Sequence, residues 1–316
     1  MRVAAIDCGT NSIRLLIAQE GAHGLRDVAR RMEIVRLGQG VDETNRFDAG
    51  ALERTFTAAK KYAELISHYG VQRVGFVATS ATRDATNRDE FLDGIQDILG
   101  VRPRVITGQQ EAELTFRGAA RLVPRDSGPT LVVDLGGGST EFILGSPGAS
   151  PTVVSLDIGS VRVTERFFPS GWPTPEERAK AQAHIDQELA QARRHIGFDQ
   201  VVTMVGTAGT ITTVSAHALG LTHYDSTRIN GARIGVDDLI EASLDLVGRS
   251  RLEKEELGFL HPQRVDVIGA GGLIWARILQ TVADQVSQTG RHLGEVITSE
   301  LDILDGVALE LLGTPN

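Results

Sequence analysis

Two short stretches carry the strongest chemical signal in the 316-residue chain: D-C-G-T-N-S starting at Asp7 and D-L-G-G-G-S-T-E starting at Asp134. In each, an acid closes an apolar run and glycine follows at once, Gly9 in the first and Gly136, Gly137 and Gly138 in the second. Glycine lets the backbone turn tightly and approach a ligand, so that several N–H donors point at one spot, an arrangement that binds anions. Thr10, Asn11, Ser12, Ser139 and Thr140 add uncharged donors suited to phosphoryl oxygens. A plain β-hairpin also wants Gly, Asn and Ser for turn geometry alone. Two matching copies, each with the terminal acid, weigh against that reading.

A carboxylate ending an apolar strand is costly unless it meets a metal, a cation or backbone donors. Mg²⁺ favours one or two carboxylates plus substrate phosphates, which makes Asp7, Asp134 and Glu141 the candidate metal ligands, with Mn²⁺ as an alternative ion. Glu141 is also placed to hold a metal-bound water, or else is a plain exposed strand residue.

Three further stretches fit the same chemistry. T-S-A-T-R-D from Thr79 offers Ser80 and Thr82 as phosphate donors and Arg83 as a cation at the end of a parallel-type strand, where α/β folds collect ligands. The competing reading of Arg83 is a surface arginine paired with Asp84 or Asp89, worth little energy. T-G-Q-Q-E-A-E-L from Thr107 reads as a helix start, with Thr107 as N-cap and Gln110 completing a capping box. That leaves Glu111 in the first turn, either as an acid favoured at a positive helix end or as a general base for a water attacking phosphorus. Glu113 points elsewhere around the helix. G-T-A-G-T from Gly206 repeats the Thr79 turn without its arginine, so Gly206 and Thr207 could receive a second phosphate or a nucleotide. No P-loop, H-E-x-x-H or dinucleotide fingerprint is present.

The elements that must position these residues follow from periodicity. Strands are expected over 3–6, 13–19 and 28–37, a helix over 49–69 with Leu52, Phe56, Ala59, Ala63 and Ile66 at helical spacing, then strand 74–79, helix 88–99, strand 104–106 and helix 109–122. From 131 the pattern starts over, with strands at 131–135 and 140–144. Asp7 and Asp134 are 127 residues apart, and V-G-F-V-A-T-S-A-T at Val74 matches V-T-M-V-G-T-A-G-T at Val202 at a spacing of 128. L-G-Q-G-V-D-E-T-N-R-F ending at Phe47 likewise resembles D-I-G-S-V-R-V-T-E-R-F ending at Phe167. So long a period means two copies of one domain rather than a solenoid. The expected lobes are 1–125 and 126–300, with an anion-binding cleft between them. The tail is expected as strand 265–268, a G-A-G-G turn, helix 273–286, a strand at Val296 and Ile297, and a last helix within 301–316 that could pack back on the first lobe.

A formal charge of −9 argues against a general nucleic-acid binder, which needs a basic face to displace counterions. No apolar run approaches the roughly 20 residues that cross a bilayer, and the N-terminus enters a strand without a secretory leader, so a cytoplasmic protein with no membrane partner is expected. Cys8 is the single cysteine, which excludes an internal disulfide, and no Cys/His cluster has zinc-site spacing.

These motifs, D-C-G-T-N-S-I-R-L, A-T-S-A-T-R-D-A, I-T-G-Q-Q-E-A-E-L, V-D-L-G-G-G-S-T-E and G-T-A-G-T, resemble in identity and order those of the exopolyphosphatase and guanosine pentaphosphate phosphohydrolase family, within the superfamily of actin, sugar kinases and heat-shock chaperone ATPases. The resemblance implies two ribonuclease-H-like (actin-like ATPase) α/β domains, Mg²⁺ dependence and hydrolytic, processive release of terminal phosphate from linear polyphosphate. It assigns Glu111 as general base, Arg83 as the motif arginine, and Asp134 and Glu141 to metal and catalysis. Longer members carry extra C-terminal helical domains, so a preference for short chains is expected, as is a homodimer. Relatives often have Arg where this chain has Glu113, which removes one phosphate contact. The alternatives are guanosine pentaphosphate hydrolysis, a kinase or ATPase with an adenosine pocket at the turns 206–210 and 269–272, and a catalytically silent scaffold.

Overall fold

The structure is a computed structural model and describes residues 1–21, 24–124, 127–145, 151–168 and 173–313. Two compact units emerge, Met1–Gly118 together with the chain from Asp302, and Ala119–Leu301. Residues 125 and 126, where the sequence places the lobe boundary, lie outside the described residues.

The first unit runs β1 (Arg2–Cys8), β2 (Ser12–Gly21), β3 (Gly24–Ile34), α1 (Val41–Thr44), α2 (Ala49–His68), β4 (Arg73–Ala78), α3 (Ser80–Asp84), α4 (Arg88–Leu99), β5 (Arg104–Val105) and α5 (Gly108–Ala119). The second runs β6 (Thr130–Leu135), β7 (Thr140–Gly145), β8 (Thr152–Leu156), α6 (Ser160–Phe167), α7 (Pro175–Ala192), β9 (Thr203–Thr207), α8 (Gly209–Ala218), α9 (Ser226–Ile229), β10 (Arg233–Gly235), α10 (Val236–Gly248), α11 (Arg251–Glu255), α12 (Ile268–Ser287) and β11 (Glu295–Thr298). The chain then returns to the first unit as α13 (Ile303–Leu312).

Sheet order is β3-β2-β1-β4-β5 in one unit and β8-β7-β6-β9-β11-β10 in the other. In both, the first three strands are antiparallel neighbours and the first strand lies parallel to the fourth, which is parallel in turn to β5 in the first unit and to β11 in the second. The repeated order is the ribonuclease-H-like arrangement, present twice, with β10 added at one edge. Parallel strands end on the same side, so within the first unit the turns after Cys8, Ala78 and Val105 gather along one sheet edge. The turns after Leu135 and Thr207 do so in the second. That edge is where open α/β sheets bind ligands.

The central strands are buried on both faces, hence their unbroken apolar runs. Along β1, Ala4, Ile6 and Cys8 face a core built with α2 and α4, whereas Val3 and Ala5 face Leu304, Val307 and Ala308 of α13. Asp7 has the parity of the α13 face, and so does Arg14 on β2, next to Leu16 and Ala18.

Two expectations need correction. The third strand ends at Ile34, short of 37, because Arg36 takes a left-handed backbone (φ 51°) and the Val35 and Arg36 amides donate to the Asn11 carbonyl. The segment 265–268 is no strand, and G-A-G-G is no turn: a helix begins at Ile268 and buries all three glycines. A Cβ on Gly271 would sit 2.6 Å from Thr210 Cγ2, and one on Gly272 2.7 Å from the Ser243 carbonyl, so these residues let α12 close on α8 and α10. Glycine costs a helix about 1 kcal/mol per residue, and close packing around the fully buried Trp275 offsets it. With the turn gone, the adenosine pocket expected at 269–272 loses half of its framework.

Candidate active site

In the first unit, the turn after β1 is closed by a Gly9 amide donating to the Ser12 carbonyl at 3.0 Å. The L-G-Q-G segment buttresses it: the Gly38 amide donates to the Thr10 carbonyl at 2.9 Å, and a Cβ on Gly38 would lie 2.4 Å from Thr10 Cγ2. Thr10 and Ser80, from different turns, share a hydrogen bond of 3.0 Å. Three buried polar atoms on these turns have no protein partner: Asp7 Oδ1, Asn11 Oδ1 and Thr82 Oγ1. Leaving such atoms unsatisfied costs free energy, so their concentration at one strand edge marks a ligand site.

Asp7 is 4% exposed. Burial pushes its carboxyl above the usual range, and Arg14, directly opposite on β2, draws it back through Nε and Nη2 bonds of 3.1 and 2.6 Å to Oδ2. Arg14 also donates to Asp302, at the start of α13.

Glu111 and Arg83 meet, as the strand-edge argument requires. Helix α3 points Arg83 at the start of α5, where its Nη1 donates to Glu111 Oε2 at 2.9 Å and to the Ile106 carbonyl at 2.9 Å. Asp89, its proposed rival partner, pairs with Arg102 instead. The capping box forms as read: the Gln110 amide donates to Thr107 Oγ1 at 3.2 Å and the Thr107 amide to Gln110 Oε1 at 3.0 Å. It fixes the first turn and leaves Glu111 nearly buried at 9% exposure, while Glu113 is exposed and receives a bond from Gln109.

The second unit builds its first turn the same way, with a Gly136 amide donating to the Ser139 carbonyl at 3.0 Å. The stretch before α6 buttresses it, since Val161 and Arg162 amides donate to the Gly137 carbonyl and a Cβ on Gly159 would lie 2.3 Å from that carbonyl. Gly138 and Ser139 are buried within it. The cross-strand partner of Asp134 is Glu141, so where the first strand pair sets Asp against Arg14, the second sets acid against acid. Directly opposed residues project from one face, which makes Asp134 (7% exposed) and Glu141 (1%) a two-carboxylate donor set. Ser155 on β8 donates to Glu141 Oε1 at 2.8 Å and fixes its orientation; Glu141 is not an exposed strand residue. Among the described residues no cluster of three or more acids, His or Cys forms a protein-only metal cage. Two carboxylates that share a metal with substrate phosphates need none.

At G-T-A-G-T, the Gly206 position is filled by neighbours, its Cβ site lying 2.8 Å from Ile211 Cγ2 and 3.1 Å from the Trp275 ring. The Thr207 hydroxyl lies 3.0 Å from the Ser299 carbonyl and 3.2 Å from that of Leu301, so it is committed to the fold. Ala208 is held at φ 73°, ψ 168°, a backbone region that a side chain disfavours. Arg264 brings a cation to the turn whose own sequence lacks one: a Cβ on Gly209 would fall 1.9 Å from its Nη1, so the guanidinium lies against the start of α8 in the space that glycine leaves. Nothing in the sequence linked Arg264 to Gly209 across more than fifty residues, and Asp302 escaped notice for the same reason; Arg14 lies within the motif that starts at Asp7 but was not singled out.

Comparison with known proteins follows the same lines. The profile of the Ppx/GppA phosphatase family matches residues 16–294. Exopolyphosphatase 2 of Mycobacterium tuberculosis (strain ATCC 25618 / H37Rv) is 45% identical over 321 residues, covering 99% of both chains. An exopolyphosphatase-like protein of solved structure superposes with a TM-score of 0.93 at 43% identity, covering 98% of this chain and 97% of that one. The Aquifex aeolicus family member does so with a TM-score of 0.80 at 32% identity, over 100% and 99%. With the repeated turns, the Arg83–Glu111 pair and these matches in agreement, the chain belongs to the Ppx/GppA phosphatase family.

Proposed function

We propose that the protein is an exopolyphosphatase, a phosphoric anhydride hydrolase that releases terminal orthophosphate from linear inorganic polyphosphate in the cytoplasm. The observation that carries the reading is the Arg83–Glu111 ion pair, set at the strand edge of the first unit where Thr10, Ser80, Asn11 and Thr82 present polar groups. Glu111 takes the proton from the attacking water as its oxygen bonds to the terminal phosphorus; the bridging P–O bond breaks and the shortened chain leaves. Arg83 compensates the charge of the phosphoryl oxygens; in the first unit the turn of Gly9, Thr10, Asn11 and Ser12 binds phosphate, and in the second the turn of Gly136, Gly137, Gly138 and Ser139 is suited to the same ligand chemistry. Gly206 and Thr207, at the turn after β9, are the place for a second phosphate in this reading, with Arg264 beside the same turn.

In the first unit the orphaned, buried Asp7 Oδ1, and in the second the opposed carboxylates of Asp134 and Glu141, each fit a hard divalent cation, Mg²⁺ or Mn²⁺. When bound, it offsets the negative charge of the phosphates. Helices of the described residues include none long and apolar enough to cross a membrane. We assign no nucleic-acid partner and expect a homodimer and a preference for short chains.

A second reading, guanosine pentaphosphate hydrolysis, draws on Tyr224. Its ring is 41% exposed while its hydroxyl donates to Glu300 Oε1 at 2.5 Å, an anchored aromatic surface on the unit that carries Arg264. Phosphate release measured side by side with short polyphosphate, long polyphosphate, guanosine pentaphosphate and ATP decides between them. Turnover of polyphosphate well above the others supports the proposal; turnover of ATP alone, and only with an acceptor, gives the site to a kinase.

A further inference from the structure

Asp302 lies outside every motif that marks the site, yet it is tied to one of the site's acids. Its Oδ1 accepts from the Leu304 amide at 2.9 Å and so caps α13, while its Oδ2 accepts from Arg14 Nη1. Two other nitrogens of that guanidinium, Nε and Nη2, donate to Asp7 Oδ2. Asp302 is itself held from behind: its amide donates to Asp305 Oδ2 at 3.1 Å, and Asp305 is gripped by Arg30 of β3 through bonds of 2.9 and 3.1 Å. A row of linked charged groups, Arg30, Asp305, Asp302, Arg14 and Asp7, with the two central acids joined through the Asp302 amide, thus runs from the edge strand through the start of α13 to the end of β1. Asp7, Asp302 and Asp305 are all buried.

Two consequences follow for Asp7. Oδ2 is saturated by two donors of one guanidinium, so the carboxylate is locked in one rotation with Oδ1 turned to the unpartnered side. Arg14 also serves two acids, so its positive charge is not spent on Asp7 alone. An arginine held only by Asp7 could swing about its long side chain and would quench the acid more fully.

We infer that Asp302 is a positioning residue for the hydrolytic site, acting through Arg14 to keep Asp7 Oδ1 oriented towards the divalent cation. This rests on the reading of Asp7 as part of the phosphate and metal site. Groups that orient metal ligands without touching the ion typically change metal affinity or activity by about 10- to 100-fold when lost.

The test uses the full-length chain and Asp302→Asn, because asparagine caps a helix as well as aspartate does. Mn²⁺ is titrated without substrate and the free ion counted by electron paramagnetic resonance; Mn²⁺ and Mg²⁺ half-saturation and the KM and kcat for polyphosphate are measured alongside, with thermal melting as the check on fold. The expected result is Mn²⁺ binding weakened about tenfold and a matching rise in the half-saturating metal, with KM for polyphosphate within threefold and melting little changed. Arg14→Gln and the double variant should show the same weakening, not its product, since the two act in series. Unchanged metal binding and kinetics in Asp302→Asn, with Asp7→Asn inactive, overturns the inference and leaves the reading of the site intact. An active Asp7→Asn sinks that reading itself. If Asp302→Asn melts far below the parent, Asp302 is a structural residue and the inference falls unless Asp302→Glu, which keeps the charge, restores metal affinity together with melting.

Discussion

Replacing Glu111 with glutamine keeps the shape of the side chain and removes one negative charge and one proton acceptor. The structural cost is small. Arg83 retains the Ile106 carbonyl at 2.9 Å, and the lost pair is open to solvent on the arginine side, with side-chain exposures of 24% and 11%. Adding the lost interaction of an acid with the start of α5 gives a stability change of about 1 kcal/mol. A general base is worth about 10²- to 10⁴-fold in rate, which at about 1.4 kcal/mol per decade corresponds to about 3–5 kcal/mol of activation free energy. The two effects differ enough to be separated. Initial rates of orthophosphate release from polyphosphate give kcat and KM, and thermal melting of the same preparations reports the fold. We expect kcat to fall at least a hundredfold with melting shifted by a few degrees. A variant that keeps kcat within threefold of the parent refutes Glu111 as the base; one in which only KM rises reassigns it to the positioning of Arg83.

Other expectations address the scaffold. A Cβ on Gly306 would lie 2.0 Å from the Leu114 carbonyl, a backbone atom that cannot step aside, so Gly306→Ala should destabilise the first unit by about 2 kcal/mol or more, measured by chemical denaturation. Ala208→Gly relieves a backbone that alanine disfavours and should raise melting of the second unit by a few degrees for about 1 kcal/mol; no change would mean the turn is unstrained. Burial pulls the Lys254 amine down to about 8, with Arg178 adding to the effect. The folded state therefore pays for the charge below pH 8, and the penalty fades as pH rises from 8 towards the unfolded value near 10.5. Lys254→Met should gain stability at pH 7, by at most about 3 kcal/mol, and the gain should shrink between pH 8 and 10. A gain that is independent of pH would rule out desolvation of the amine as its cause.

Local signals explain how much of this molecule could be read in advance. The turns at Asp7 and Asp134 announce themselves because acid, glycine and hydroxyl residues are adjacent in sequence, and the capping box at Thr107 because its partners are three apart. Helix 88–99 was legible from its apolar period and the left-handed Gly100 that ends it. Glycine misled at 269–272, where spacing alone cannot tell a turn from the contact face of two helices; the deciding neighbours, Thr210 and Ser243, are distant in sequence. For the same reason Arg264 and Asp302 were invisible as site residues. Their roles come from the partners that folding brings to them, and nothing within a few positions of either hints at those partners; Arg14, in the motif that starts at Asp7, needed only the hairpin register to be found. The duplicated pattern also hid a difference: the position that is Arg14 in the first copy is Glu141 in the second, and only strand register shows that each faces the equivalent aspartate.

The return of α13 to the first unit bears on how the chain acquires its structure during synthesis. Val3, Ala5, Leu16, Ala18 and Val77 are made well before Ile303, Leu304, Val307 and Ala308, which complete their face of the sheet. The continuous segment Ala119–Leu301 has its own core and depends on no later residue to fill it. The usual order, in which the N-terminal domain is finished first on the ribosome, is therefore inverted. The first unit waits with one apolar face bare until α13 has left the exit tunnel, and a ribosome that stops short of residue 303 releases a chain whose second unit is whole and whose first is open to chaperones and proteases.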